Sequence, residues 1–164
     1  MPIPLTEIRK LSHDELVELV ANLWEVRPGW RTRIVETGDE VNLEIKGDSM
    51  EMVVPQGENP RYPDVEIPVH ILAIQEEPYV ELEFIHVHQA NEEDVIEDAQ
   101  LDSFEQASNG YRVRKSVIVT TGAGPDKTVD EQLYYGHRLV EGAELCNLIE
   151  QYTEYGFDHN AYLR

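Results

Sequence analysis

Residues Ser116 to Tyr152 read SVIVTTGAGPDKTVDEQLYYGHRLVEGAELCNLIEQY. The run Ser116 to Thr121 is short, β-branched and almost continuously apolar, the pattern of a strand buried on both faces. A Thr-Thr-Gly turn ends it, and Pro125 and Asp126 are ordinary first-turn residues, so a helix is expected next. A short strand, Arg138-Leu139-Val140, follows. Glu141-Gly142 then opens a final helix through the apolar run Leu145-Cys146-Asn147-Leu148-Ile149.

Working upstream, Pro68 to His88 carries the clearest hairpin signal. Val69-His70-Ile71-Leu72-Ala73-Ile74 forms one arm, Glu76-Glu77-Pro78 the turn, and Val80 to His88 the other. The second arm begins in strict alternation and ends in a continuous apolar stretch, so it should run from a solvated edge into the core. The acidic stretch Glu92 to Ser108 is helix-compatible, with Leu101, Phe104 and Ala107 as its buried face. Strand, helix and strand in that order imply a right-handed crossover and a sheet that is parallel in part.

Further upstream, Ser12-His13-Asp14-Glu15 has the spacing of a capping box. A helix should start there, run through Leu16, Leu19, Val20, Leu23 and Trp24, and stop at Pro28-Gly29. From Arg31 to Glu66 loose alternation, broken at Gly38-Asp39, Gly47-Asp48 and Gly57, predicts short strands joined by turns. Pro55 to Pro63 holds three prolines and reads as an exposed loop. The expected architecture is α/β, a mixed central sheet flanked by helices, in one domain spanning residues 1–164.

The chain holds 33 acidic residues against 13 Lys and Arg, a formal net charge of -20 spread along its length. Such self-repulsion opposes compaction unless mobile ions screen it, so the composition resembles that of proteins from salt-loving organisms. Duplex phosphate binding relies on Lys and Arg displacing counterions, and molar salt removes most of that driving force. Two basic trios stand out: Arg27, Arg31 and Arg33, and Arg112, Arg114 and Lys115. Either can approach a phosphate backbone or pair with surplus carboxylates. The single Cys146 excludes an internal disulfide and reads as a buried packing residue. No apolar run approaches the ~20 residues of a membrane span, and Met1-Pro2-Ile3-Pro4 leads into no signal-peptide core. The expectation is a soluble cytoplasmic protein.

The order of elements from Ser116 to Tyr152 resembles the C-terminal half of the Mrr-like restriction endonuclease domain, a branch of the PD-(D/E)XK nuclease superfamily. The resemblance implies a restriction-endonuclease-like sheet in which Ser116 to Thr121 neighbours Leu82 to His88. It also implies a divalent-metal site on the upstream hairpin: Gly-x-Asp on one arm, Gln-x-Lys on the other, and a Glu from the first helix. There the acids hold the metal, which polarises the scissile phosphate, while the Lys stabilises developing charge. Laid on Pro68 to Ala90, that pattern places Pro68-Val69-His70 at the first motif and His86-Val87-His88 at the second. The helix position falls on Val17, beside Glu18. A second register takes Gly38-Asp39 for the acidic motif and Gln75-Glu76-Glu77 for the other, retaining Asp39 and Gln75 but placing an acid where the Lys belongs. Neither register restores the full set, so the resemblance implies a non-hydrolytic member, associated with nucleic acid or with protein partners in a DNA restriction, defence or repair context. The alternative from the same family is an endonuclease that still cuts DNA with Mg²⁺, and cutters of both strands pair as two-fold homodimers.

The histidines also have a reading of their own. His86 and His88 are two apart on a strand and share a face, and His70 joins them if the hairpin pairs it with His86. Imidazoles so placed can bind Zn²⁺ or another borderline metal, with Asp64 or Glu66 as an oxygen ligand, which would make the chain a metal-binding protein or small hydrolase. Equally, they can be half-buried residues bonded to backbone or carboxylates. His13, His137 and His159 are scattered and read as surface residues. No nucleophile elbow, phosphate-binding loop ending in Lys-Ser/Thr, or His-Glu-x-x-His motif is present, and Thr120 to Gly124 reads as a strand-to-helix turn.

Overall fold

A computed structural model describes residues 5–27, 29–35, 40–45, 48–53, 58–59, 62–66, 68–76, 80–89, 104, 115–122 and 139–153. The chain enters through a short helix, α1 (Leu5–Arg9), and reaches α2 (His13–Glu25). The capping box of α2 is formed in both directions: Glu15 N–H donates to Ser12 Oγ at 3.2 Å, and Ser12 N–H donates to Glu15 Oε1 at 3.0 Å. Such a cap contributes about 1 kcal/mol and fixes where the helix begins. Leu16, Val17, Leu19, Val20, Leu23 and Trp24 then fall on one buried face. Gly29, at φ 84°, supplies the left-handed turn that redirects the chain into β1 (Trp30–Ile34).

Two antiparallel ribbons follow, β2 (Glu40–Ile45) with β3 (Asp48–Val53), and β4 (Glu58–Asn59) with β5 (Tyr62–Glu66). The second pair lies partly inside the stretch expected to be a loop. It pairs Glu58 with Glu66 and Asn59 with Tyr62 across a register shift, and Pro63 is tolerated because a two-stranded ribbon consists of edge strands.

The central sheet is built from β1, β6 (Ile71–Gln75), β7 (Glu81–His88), β8 (Lys115–Thr120) and β9 (Leu139–Val140), in that spatial order. β1 with β6 and β6 with β7 are antiparallel, whereas β7 with β8 and β8 with β9 are parallel. The sheet is mixed and parallel in part, as the strand–helix–strand order predicts, and β7 neighbours β8. The final helix, α3 (Gly142–Thr153), packs on the same side as α1 and α2. Ile71, Ala73, Ile85, Val87, Val117, Val119 and Val140 face these helices and form one core with Leu16, Leu19, Leu23, Leu145 and Ile149. Leu72, Phe84, His86 and Ile118 occupy alternate positions and are buried as well. Phe104, helical and 1 % exposed, lies 6.1 Å from the His86 ring on that second side. The other residues of the acidic stretch Glu92 to Ser108, and residues 123–138 with the helix expected there, lie outside the described residues.

Gly142 shows how tightly α3 is seated. A Cβ there would stand 2.6 Å from Leu5 Cδ1 and 3.0 Å from the Thr121 carbonyl oxygen, so a side chain would displace Leu5 and crowd the carbonyl where α3 begins against α1 and the end of β8. Arg9 reinforces the junction, donating from Nε to the Thr121 carbonyl at 3.0 Å. Cys146 is buried in this core, and burial pushes its thiol pKa up while the nearby Arg9 opposes the shift. Among the described residues, no helix is long and apolar enough to cross a membrane.

A candidate functional site of four histidines

The β6–β7 register places Ile71 opposite Ile85, and His70 N–H donates to the Ile85 carbonyl at 2.9 Å. His70 is thereby brought beside His86, the condition on which the hairpin would place it in the same row. The rings are stacked, with centroids 4.7 Å apart and planes 26° from parallel. His88 continues the row on the same face of β7, its centroid 6.5 Å from that of His86. A fourth member comes from the first turn of α2. The His13 ring meets His70 edge-on at 4.6 Å, joining the helix to the end of the hairpin.

Each ring is held by the protein itself. His13 donates from Nε2 to the Val87 carbonyl at 3.0 Å. His70 accepts the Val87 N–H on Nδ1 at 2.8 Å, so its neutral form carries the proton on Nε2. His86 donates from Nδ1 to the Pro68 carbonyl at 2.8 Å, which leaves Nε2 as its lone-pair nitrogen. His88 Nδ1 shares a hydrogen bond of 3.0 Å with Thr120 Oγ1, which also accepts the Gly122 N–H at 2.9 Å. Next to His88, the Gln89 side chain donates to the Leu11 carbonyl and accepts from Thr121 Oγ1 at 2.7 Å. The loop before α2 is thereby tied to the end of β8.

The electrostatics follow from burial. Removal from water lowers the His70 pKa to about 3, with His86 and His13 adding repulsion. His86 is lowered to about 4, first by burial; the Pro68 carbonyl opposes the shift, and His88 and His13 add to it. At neutral pH these two are uncharged imidazoles, able to accept or donate hydrogen bonds but not to act as cations. Beside His13 and His70 an open cleft of about 540 Å³ is walled by Asp14, Val17, Glu18, Ile34 and Val35. Val17, the residue at the helix position of the nuclease motif, is buried, while Glu18 reaches the cleft.

The other residues singled out in the sequence go elsewhere. Gln75 ends β6 at the far end of the hairpin from His70 and pairs with Glu81, so it does not join the row. Asp39 lies outside the described residues, as do Arg112, Arg114, His137, His159 and the side chains of Asp64 and Glu66. Arg31 and Arg33 alternate with Thr32 along the edge strand β1, and Arg31 pairs with Glu76. Arg27 instead turns inward. Its Nη2 donates to the buried Glu83 carboxylate at 3.1 Å, and its guanidinium lies 4.1 Å from the Trp30 ring centroid. Among the described residues, no group of three or more His, Cys, Asp or Glu has metal-holding geometry.

No family model and no curated protein matches the chain. Among solved structures it is similar to the crystal structure of protein VC1899 from Vibrio cholerae, with a TM-score of 0.42 at 13% identity. The likeness covers 85% of this chain and 32% of that one, so the chain spans about a third of that protein's length.

Proposed function

We propose that the chain is a nuclease-like domain that does not hydrolyse phosphodiesters and works as a nucleic-acid-associated or protein-interaction module in a DNA restriction, defence or repair setting. The reading takes the mixed sheet as restriction-endonuclease-like. One observation carries it. At the end of the hairpin, where the resemblance calls for an acid and a lysine, stand His70, His86 and His88, with His13 beside them. Mg²⁺ requires hard oxygen donors, and neutral imidazoles do not supply them. At the lysine position the ring of His88, bonded through Nδ1 to Thr120 Oγ1, stands in place of the ammonium that would stabilise the attacked phosphate. The row serves instead as a rigid brace, with nitrogens bonded to backbone at Pro68 and Val87. Contact with a phosphate backbone would fall to the exposed edge strand, where Arg31 would exchange its Glu76 partner for a phosphate and Arg33 lies beside it, while Arg27 is turned inward to Glu83.

The test is incubation of the purified chain with plasmid DNA and Mg²⁺ or Mn²⁺ in concentrated KCl, together with a duplex-binding titration. No nicking is expected, and any binding should weaken as salt rises. Specific nicking that disappears in an Asp39→Ala variant would establish an active endonuclease instead.

A second reading rests on His86. Zn²⁺ accepts neutral imidazole nitrogens, and His86 Nε2 carries a lone pair while its Nδ1–H is oriented by the Pro68 carbonyl, the kind of outer bond that positions a metal-binding ring. Elemental analysis after dialysis decides between the two. A full equivalent of zinc that is lost in His86→Gln would favour the metal protein, and less than about a tenth of an equivalent would leave the row structural.

A further inference from the structure

At the end of the sheet away from the histidines, a cavity of about 140 Å³ lies between the last turns of α2 and α3 and the first residues of β7 and β8. Its inner walls are Leu23, Val117 and Val140, each 1 % exposed, and the half-buried Leu148 and Tyr152 form its mouth beside Trp24. Protein interiors ordinarily pack to crystal density, so a space of this size between two helices forfeits dispersion contacts along its whole lining. It is also the size of a single aromatic ring, since an apolar cavity of about 150 Å³ accommodates benzene.

The polar groups around the cavity are already committed. Glu83 is 2 % exposed, and its Oε1 accepts from both Trp24 Nε1–H and Arg27 Nη2, each at 3.1 Å. Arg27 also donates from Nε to the Trp24 carbonyl at 3.4 Å, and its guanidinium lies 4.1 Å from the Trp30 ring centroid. Lys115, directly across from Glu83 in the parallel β7–β8 register, and Tyr152 at the mouth have partners of their own. An ionised ligand would therefore leave water without gaining a counter-charge, a cost that apolar walls do not offset. An uncharged ring gives up only apolar hydration and gains contact with the lining.

From these we infer that the cavity is a binding site for a small, uncharged, single-ring aromatic ligand. The ring packs on Leu23, Val117 and Val140, with Trp24 and Tyr152 supplying the aromatic contacts that favour a ring over a chain. A carboxylate or an ammonium on the ring is disfavoured for want of an uncommitted partner. A two-ring ligand exceeds the volume. The inference is independent of the histidine row and of whether the chain binds nucleic acid.

Calorimetry and thermal melting of the full chain in about 1 M KCl, with benzene, benzoate and benzylamine as probes, test it. Benzene should bind with a dissociation constant of about 1 mM or below and raise the melting temperature, and benzoate and benzylamine should bind at least about tenfold more weakly. In Leu148→Phe, where α3 carries a ring of its own into the cavity, both the heat and the melting shift with benzene should disappear. The inference is overturned if benzene gives neither signal up to ~10 mM, or if benzoate or benzylamine binds the native chain as tightly as benzene. It is overturned as well if folded Leu148→Phe still binds benzene. Should that variant fail to fold, nuclear Overhauser contacts from benzene bound to the native chain decide the matter. Contacts to Leu23, Val117 and Val140 support the site, and contacts elsewhere overturn it.

Discussion

Acidification should loosen the fold in a window set by the histidine row rather than by the carboxylates. The perturbation is a shift from about pH 7.5 to about pH 5.5 at fixed KCl, read by urea denaturation. His86 has a native pKa near 4 and an ordinary value of 6.5, so the unfolded chain binds the proton first. Its contribution is fully present above pH 6.5 and is lost as the pH falls from there toward 4. At about pH 5.5 the unfolded imidazole is protonated about ten to one while the native one is still neutral, a loss of about 1.3 kcal/mol. That figure holds for any native pKa below about 5, because only the unfolded state titrates in this range. His70, with a native value of about 3, adds a loss of the same sign, smaller than the full linkage value because the ring is partly exposed. The net charge of -20 works the other way, since protonating crowded carboxylates relieves repulsion. The comparison must therefore be differential, with His86→Gln carrying the same carboxylates. The stability difference between the native chain and this variant should shrink by about 1.3 kcal/mol over the window. Parallel pH profiles for the two chains would refute a buried, neutral His86.

Three other outcomes are expected. Arg27→Ala leaves the Glu83 carboxylate buried without its guanidinium and should cost about 3 kcal/mol in urea denaturation, whereas Arg31→Ala, at an exposed pair with Glu76, should cost less than about 1 kcal/mol. Equal effects would mean that Arg27 is not the inward clamp. Gly142→Ala should lower stability by about 1–3 kcal/mol, and adding Leu5→Ala should recover only part, because the contact with the Thr121 carbonyl remains. Melting temperature should rise with KCl from about 0.1 M to about 3 M, beyond the range of simple Debye screening; a flat response would show that the acidity is not an adaptation to salt.

Local signals in the chain determined its local structure. Ser12 and Glu15 set the start of α2, Gly29 the turn that follows it, and the β-branched run before Thr121 became β8, an interior strand of the sheet. The pairing of His70 with His86 was one outcome the hairpin allowed, since register depends on the loop, and the observed register selects it. His13 was not legible in this way. It sits 57 residues before His70 and joins the row only because α2 packs across β6 and β7, a placement that sequence spacing does not encode. Glu83 shows the same limit from the other side. The alternation from Val80 onward sets it on the opposite face from Leu82 and Phe84 without saying what covers that face; the helices do, and the carboxylate is buried with Arg27 and Trp24 as partners. The period of a strand fixes which residues share a face, but not what lies against it. Only the tertiary structure decides whether a charge on that face meets water or a guanidinium, because desolvation depends on the covering layer and not on the strand's own sequence.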